Sequence, residues 1–505
     1  MVVRRRFFGQ ALATAATLAA PAFVRHARAA DVPRFALGVA SGHPQPDSLV
    51  LWTRLTGNDL AERVDVQWEL AHDEAFTQLA ARGTEVAEAG WAHSVHAEPR
   101  GLVPGRRYWY RFTAAGARSP TGRTRTAPAP DAMATLHFVI ASCQRYDKGH
   151  FAAWRDTVEA DPELVIFLGD YIYETGSARD ALRRHEGGSV RTLEGYRQRY
   201  AQYKSDPLLQ AAHAACPWLM VWDDHEVDND YAALQGQNLQ PDFAAQRAAA
   251  YQAYWEHLPF PRSARPTGAD MRIVGRLDWG RLARIHLLDD RQYRDPQVCP
   301  RPGRGGSNTV RLKDCPALLE AQRSLLGREQ EQWLQQGWSL DRPWNLLAQQ
   351  TLMARFSWRD PAAEPTYWTD GWDGYAPARN RLLAGAAERK VPGLVALGGD
   401  VHAHYVAQLK ADYDDARGPV VGAEFCGTSI TSLSLEQDRI EAALPLNPHV
   451  LYGRGTHRGS VHFRLDTQAL QADLRAVDDA SDPNSAVRSA ARFLVEAGRP
   501  GVQVA

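Results

Sequence analysis

Apolar runs of about five residues that stop abruptly at polar, chemically capable residues recur along the chain from residue 136 onward. Leu136-His137-Phe138-Val139-Ile140-Ala141 leads into Ser142-Cys143, and Leu164-Val165-Ile166-Phe167-Leu168 into Gly169-Asp170. Trp218-Leu219-Met220-Val221-Trp222 leads into Asp223-Asp224-His225, and Gly393-Leu394-Val395-Ala396-Leu397 into Gly398-Gly399-Asp400. Such runs read as buried strands, and helical stretches lie between them, so residues 131–505 are expected to form a layered α/β domain. Residues 31–130 have another texture. Short alternating runs such as Ser48–Leu55 and Arg107–Phe112, separated by Gly, Pro and Asp turns, predict a small all-β sandwich of fibronectin or immunoglobulin type. Leu102–Tyr108 has the form of a tyrosine corner, in which a phenol pins a strand crossover to upstream backbone. Thr124–Pro130 reads as an extended linker, because proline removes a backbone donor and disfavours helix in the residue before it. Near the end, the apolar pattern around Ala490–Ala497 predicts a short helix.

The first thirty residues stand apart. Arg4-Arg5-Arg6-Phe7-Phe8 precedes an apolar stretch and then Ala27-Arg28-Ala29, a small-x-small cleavage pattern. Residues 1–30 therefore read as an export signal of twin-arginine type, with the twin-arginine export machinery as partner and a periplasmic or extracellular destination. These residues hold five arginines and no acid, so their removal takes the formal charge from −1 to −6. A mildly acidic remainder offers no basic stripe for nucleic acid. With 44% hydrophobic and 23% charged residues the composition is that of a globular protein, and no other segment has the length of apolar sequence that spans a membrane. The five cysteines show no C-x-x-C pairing. Cys299 and Cys315 flank a loop whose start reads PRPGRGGSN, and in an exported protein a disulfide closing that loop is expected.

The strand ends carry the candidate chemistry. Gly169-Asp170 reads either as a surface turn or as a carboxylate that can approach and bridge metal ions without crowding, and Tyr173 either as a packed aromatic or as a phenolate suited to ferric iron. His402-Ala403-His404 alternates, so on a strand both imidazoles face one side and on a tight loop both can reach the same metal cluster. Asp223–Asp230 concentrates five acidic residues, Asn229 and His225 within eight positions. Repulsion among clustered carboxylates is relieved by a cation, and oxygen ligands suit Ca²⁺ or Mg²⁺. Aspartates and histidines would equally accept Zn²⁺ or Mn²⁺. Cys143 stands at an aligned strand end, where a buried core thiol and a thiolate ligand are both open readings. There is no Gly-x-Ser-x-Gly elbow for serine-hydrolase chemistry.

Together these blocks resemble the metallophosphoesterases, and more narrowly the PhoD-like alkaline phosphatase and phosphodiesterase family, over nearly the whole of residues 31–505. The resemblance rests on Ala141-Ser142-Cys143, Gly169–Glu174, Trp222–Asn229, Leu288–Arg294 and Gly399–His404. It implies a four-layer α/β/β/α sandwich behind the small β-sandwich. It also implies Fe³⁺ held by Cys143, Asp170, Tyr173 and a histidine of the last block, taken as His404, with one or two Ca²⁺ alongside. Asp170 would bridge, and Asp224, Asp400, His402 and Asn229 would complete the calcium side. The chemistry expected is hydrolysis of phosphate mono- or diesters by metal-bound hydroxide with no phospho-enzyme. His225 would assist the leaving group or bind phosphate, and Arg145 or Arg291 would offset charge on the phosphoryl oxygens. One block departs from the family pattern, with Asp290 where threonine is usual, and Arg291 beside it is expected to serve phosphate or structure. Two other readings are a phospholipase D acting on phospholipid head groups and a non-catalytic surface-binding protein, the latter suggested by the β-sandwich and fifteen tryptophans.

Overall fold

A computed structural model describes residues 34–358, 364–415 and 417–504; the expected export signal lies outside them. Two sheets of ten and seven strands organise the chain. At the centre of the first, Leu136–Ala141, Leu164–Leu168 and Pro217–Val221 run parallel. At the centre of the second, Ala283–Leu287, Trp344–Ala348, Leu394–Gly398 and Val420–Cys426 do the same. The central strands are buried on both faces, which is why their sequences are continuously apolar.

The layer order follows from which side chains share a core. Leu346 and Ala348, with Val395 and Leu397, join Ile140 and Phe463 of the ten-stranded sheet in one cluster. Their neighbours Leu347 and Ala396 point the other way, onto Leu334, Leu382 and Leu383 of helices Arg328–Gln336 and Ala376–Glu388. The period-two alternation of a strand thus places one sheet face on the other sheet and the opposite face on helices. On the far side, Trp154 of helix Ala153–Glu159 packs on Phe167 and Trp218, and Tyr251 of helix Phe243–His257 stacks on Trp222. The result is an α/β/β/α sandwich, as expected.

The N-terminal region differs from a self-standing sandwich. Arg63–Ala71, Leu79–Glu88, Arg107–Ala114, Ala117–Arg118 and Gly122–Arg125 form a five-stranded sheet of their own. Val39–Gly42, Val50–Arg54 and Ser94–Ala97 instead extend the ten-stranded sheet, with Val39–Gly42 running parallel to Pro217–Val221. A local core including Val39, Leu51, Val66, Tyr110 and Phe112 fills the space between the two sets. The sandwich packing is present, but one of its sheets is continuous with the ten-stranded sheet. The tyrosine corner forms as expected, the Val103 backbone N–H donating to Tyr108 Oη at 2.8 Å.

The expected C-terminal helix is a strand. Val487–Glu496 pairs antiparallel with Ala469–Val477, burying Phe493 and Val495 while Glu496 stays exposed. A short apolar run fits either period, and here an unpaired sheet edge decides between them.

Cys299 and Cys315 form a disulfide across a sequence separation of 16 residues. The loop it closes supplies Thr309, Val310, Arg311 and Asp314 to the wall of the main cavity. Replacing both cysteines by serine should lower the free energy of unfolding by about 3 kcal/mol, the loop-closure entropy for this length, read as a shift of the urea midpoint.

Candidate metal centre

Parallel strands present their carboxyl ends on one edge, and all four chemically marked strand ends converge there. The backbone at this edge is unusual. Cys143, Asp170, Asp400 and His402 have φ of 58°, 59°, 65° and 55°. Left-handed conformations at non-glycine residues cost about 1–3 kcal/mol each and persist only where the surroundings enforce them. Gly169, with φ of 100°, has a different role: a Cβ there would lie 2.5 Å from the Asp223 Cβ. Only glycine lets the two acidic turns close on each other.

Cys143 Sγ, an Asp170 carboxylate oxygen and a His402 ring nitrogen lie within 4.8 Å of one another, as do donor atoms of Asp170, Asp224 and His225, and of Asp224, Asp230 and Asp370. Asp170 is shared by the first two groups and Asp224 by the last two. Tyr173 Oη donates to Asp170 Oδ2 at 2.7 Å and lies 3.2 Å from His402 Nε2. Asp400 accepts from the Thr351 hydroxyl at 2.6 Å, and Asn229 and Asp400 line the same cavity, of about 1110 Å³.

Electrostatics shows what this arrangement lacks. Burial pushes the Asp224 carboxyl up to about 7, and burial also raises Asp223 and Asp400, with neighbouring carboxylates adding to the effect. Burial and the Asp170 carboxylate raise the Cys143 thiol and the Tyr173 phenol. Burial works against charge on His225, but the Glu174, Asp224 and Asp170 carboxylates prevail and raise it. Asp170 Oδ1 and Asp223 Oδ2 are buried and have no hydrogen-bond partner among the described residues. A buried oxygen aimed into a carboxylate cluster without a donor is what a cation satisfies. The donor set of thiol, phenol, imidazole and carboxylates fits the metals implied by the sequence.

Residues 138–474 match the family model of the PhoD-like phosphatase, and residues 18–128 that of its N-terminal domain. The chain belongs to the PhoD-like phosphatase family. It is 40% identical over 488 residues to alkaline phosphatase D of Bacillus subtilis (strain 168), covering 93% of this chain and 82% of that protein. A solved structure of PhoD superposes with a TM-score of 0.89 at 38% identity, covering 94% of this chain and 92% of that one. The protein is accordingly a hydrolase of phosphoric ester bonds, and the surface-binding reading is set aside.

Within this PhoD-like site three sequence-based assignments change. His404 is not with Cys143 and Asp170. Its Nδ1 accepts from the Thr428 backbone N–H at 3.1 Å, and its Nε2 lies 3.4 Å from the Arg475 carbonyl. Strand alternation does not relate the two histidines, because the strand begins at His404 and His402 occupies the left-handed turn before it. Arg291 does not face the cavity. Its buried guanidinium meets Asp223 at 2.5 Å, Asp370 at 2.9 Å and Asp224 at 3.7 Å, so its charge is committed to the protein's own acids. Arg145 is tied to Asp147 at 2.8 Å and Thr175 at 3.1 Å and lies over the Tyr173 ring, 4.9 Å from its centroid. It braces the phenol. His225 does line the cavity, its Nδ1 donating to Glu174 at 2.7 Å.

Several members of the site carried no assignment from sequence. Asp230 lay inside the acidic segment, whereas Asp370 followed an ordinary Trp-Thr pair and gave no signal. Glu226 accepts the backbone N–H groups of Asp170 at 3.1 Å, Tyr171 at 2.6 Å and Asp223 at 3.0 Å. One buried carboxylate thereby fastens the two acidic turns together. Glu226→Gln keeps the shape but trades an acceptor oxygen for a donor NH₂ facing those amides. It should weaken metal affinity by roughly 10- to 100-fold while the protein stays folded, measured by chelator competition alongside circular dichroism.

Proposed function

We propose that the protein is an exported, metal-dependent phosphoesterase acting on phosphate mono- and diesters. The observation that carries this reading is the pair of donor groups sharing Asp170 at the polar end of the cavity. Cys143, Asp170, Tyr173 and His402 would hold Fe³⁺, and Asp224, Asn229 and Asp400 would hold one or two Ca²⁺, with Zn²⁺ or Mn²⁺ as alternatives. Bound metal supplies a Lewis acid for the phosphoryl oxygens and acidifies water. The chain's own residues do the rest. The Glu174 carboxylate holds the proton at Nδ1 of His225, so that Nε2 is the atom that exchanges a proton with the departing alcohol. Buried Arg291 lets Asp223, Asp224 and Asp370 share one small volume.

Export through the twin-arginine route is supported by the pattern of residues 1–30, and the Cys299–Cys315 disulfide suits an oxidising compartment. Among the described residues no helix is long and apolar enough to cross a membrane. Residues 31–130 act in this reading as an accessory unit to a catalytic unit at 131–505.

The test is elemental analysis and visible absorption of the exported protein purified without added metal, together with hydrolysis of a chromogenic phosphomonoester and diester. Iron with a charge-transfer band and calcium-dependent turnover is the expected result. Full activity in metal-free protein, or no turnover after metal reconstitution, would overturn it.

A further inference from the structure

The cavity extends beyond its acidic end, where a mixed lining that includes Arg311 and Arg439 also carries a run of aromatic and aliphatic side chains. From Asp170, Asp224, His225, Asp400 and His402 it continues along Phe356, Trp358, Tyr405, Leu433 and Leu435. Phe356 packs edge-on against both Trp358 and Tyr405, with ring centroids 4.7 and 5.1 Å apart, so these three make one continuous aromatic wall. The acids bordering it are already engaged. Asp373 is held by Arg379 at 2.6 Å and by the Phe356 backbone N–H at 2.9 Å, and Asp314 by Arg311 at 2.6 Å. Leu433 and Leu435, which line the same cavity, are 62% and 44% exposed, two large apolar side chains left to water within three residues. Exposed leucines are unremarkable singly, but a pair of them bordering a cavity with an aromatic wall marks a binding surface.

This apolar limb is built into the phosphate end. The segment bearing both leucines also touches two members of the metal cluster, the Leu433 carbonyl accepting from His402 Nδ1 at 2.8 Å and Ser432 Oγ lying 2.6 Å from Tyr173 Oη. A phosphoryl group seated at the polar end has its ester oxygens directed either to solvent or along this wall. We infer that the limb receives an apolar alcohol substituent of the phosphate ester, so that the enzyme favours esters carrying an alkyl or aryl group over those of small polar alcohols. Phe356, Trp358, Leu433 and Leu435 then determine specificity. The inference rests on the phosphoesterase reading above.

The experiment is a ladder of n-alkylphosphonates from methyl to dodecyl, each below its micellar concentration, tested as competitive inhibitors of soluble aryl phosphate hydrolysis. Burial of a methylene should lower Ki by roughly 2- to 4-fold per carbon over the early members. The double variant Leu433→Asn/Leu435→Asn should flatten that slope, whereas Leu340→Asn, an exposed leucine in a turn away from the cavity, should leave it as it is. A Ki that levels off within the ladder identifies a short alkyl or aryl substituent, and one still falling at dodecyl identifies a lipid-like chain. A flat ladder in an enzyme that hydrolyses aryl phosphate normally would overturn the inference and leave the phosphoesterase reading standing, as would a slope untouched by the double variant. Absence of turnover after metal reconstitution would instead sink that reading. Calorimetric titration of methyl- against octylphosphonate would then still read the limb, equal affinities overturning it.

Discussion

Asp170→Asn is expected to lower turnover of a phosphate monoester on the order of 10³-fold and to reduce the metal content of the purified protein at the same time. Asp170 belongs to two of the three donor groups, with Cys143 and His402 on one side and Asp224 and His225 on the other, so one substitution reaches two adjoining groups at once. The change is chosen to spare the fold. Asparagine has the same shape as aspartate and is among the non-glycine residues that best tolerate the left-handed backbone found here, with φ of 59°. Its side-chain oxygen can still accept from Tyr173. What is lost is one negative charge and one acceptor oxygen, and burial makes that charge hard to replace from solvent. Metal analysis, circular dichroism and a chromogenic assay on the same preparation check the result. A variant that stays active and fully metallated would remove Asp170 from the centre of the site.

The parts of this site legible in the sequence share one property: their chemistry is local. An apolar run ending in Gly-Asp, or five acids within eight residues, describes a strand end and its charge without reference to the rest of the chain. What was not legible depends on distant partners. Asp370 acquires its place because Arg291 and Arg294 reach it at 2.9 and 3.2 Å and Gln297 donates to it at 2.6 Å. The split of the N-terminal strands between two sheets is set by pairing of Ser41 with Pro217, which no local period encodes. His402 and His404 show the same limit at short range. Alternation would align them on a strand, but Thr428 and Arg475 hold His404 behind the turn that brings His402 forward. The C-terminal strand has the local pattern of a helix for a related reason, since Phe493 and Val495 are selected by the core they meet rather than by their own spacing.

Arg291 offers the sharpest separation between a residue that meets substrate and one that holds the site together. Its guanidinium is buried and paired with Asp223, Asp224 and Asp370, and Arg294 shares the last of these. Arg291→Met fills a similar volume but leaves those carboxylates without their main counter-charge. Removing one partner of a buried ionic network costs about 3–5 kcal/mol, far more than the network contributes relative to an apolar replacement of every member. The expected result is therefore a large drop in the denaturant midpoint, with metal affinity falling as the acidic turns move apart. Arg291→Lys should recover only part of the loss, because a single ammonium cannot reproduce a planar fork that serves three acids. If Arg291 instead neutralised the phosphoryl group of the substrate, both variants would keep wild-type stability and metal content and would differ only in kcat and KM. The deciding comparison is the urea midpoint of each variant with and without chelator, since stability lost in both conditions places Arg291 in the protein's own charge balance and not in the substrate's.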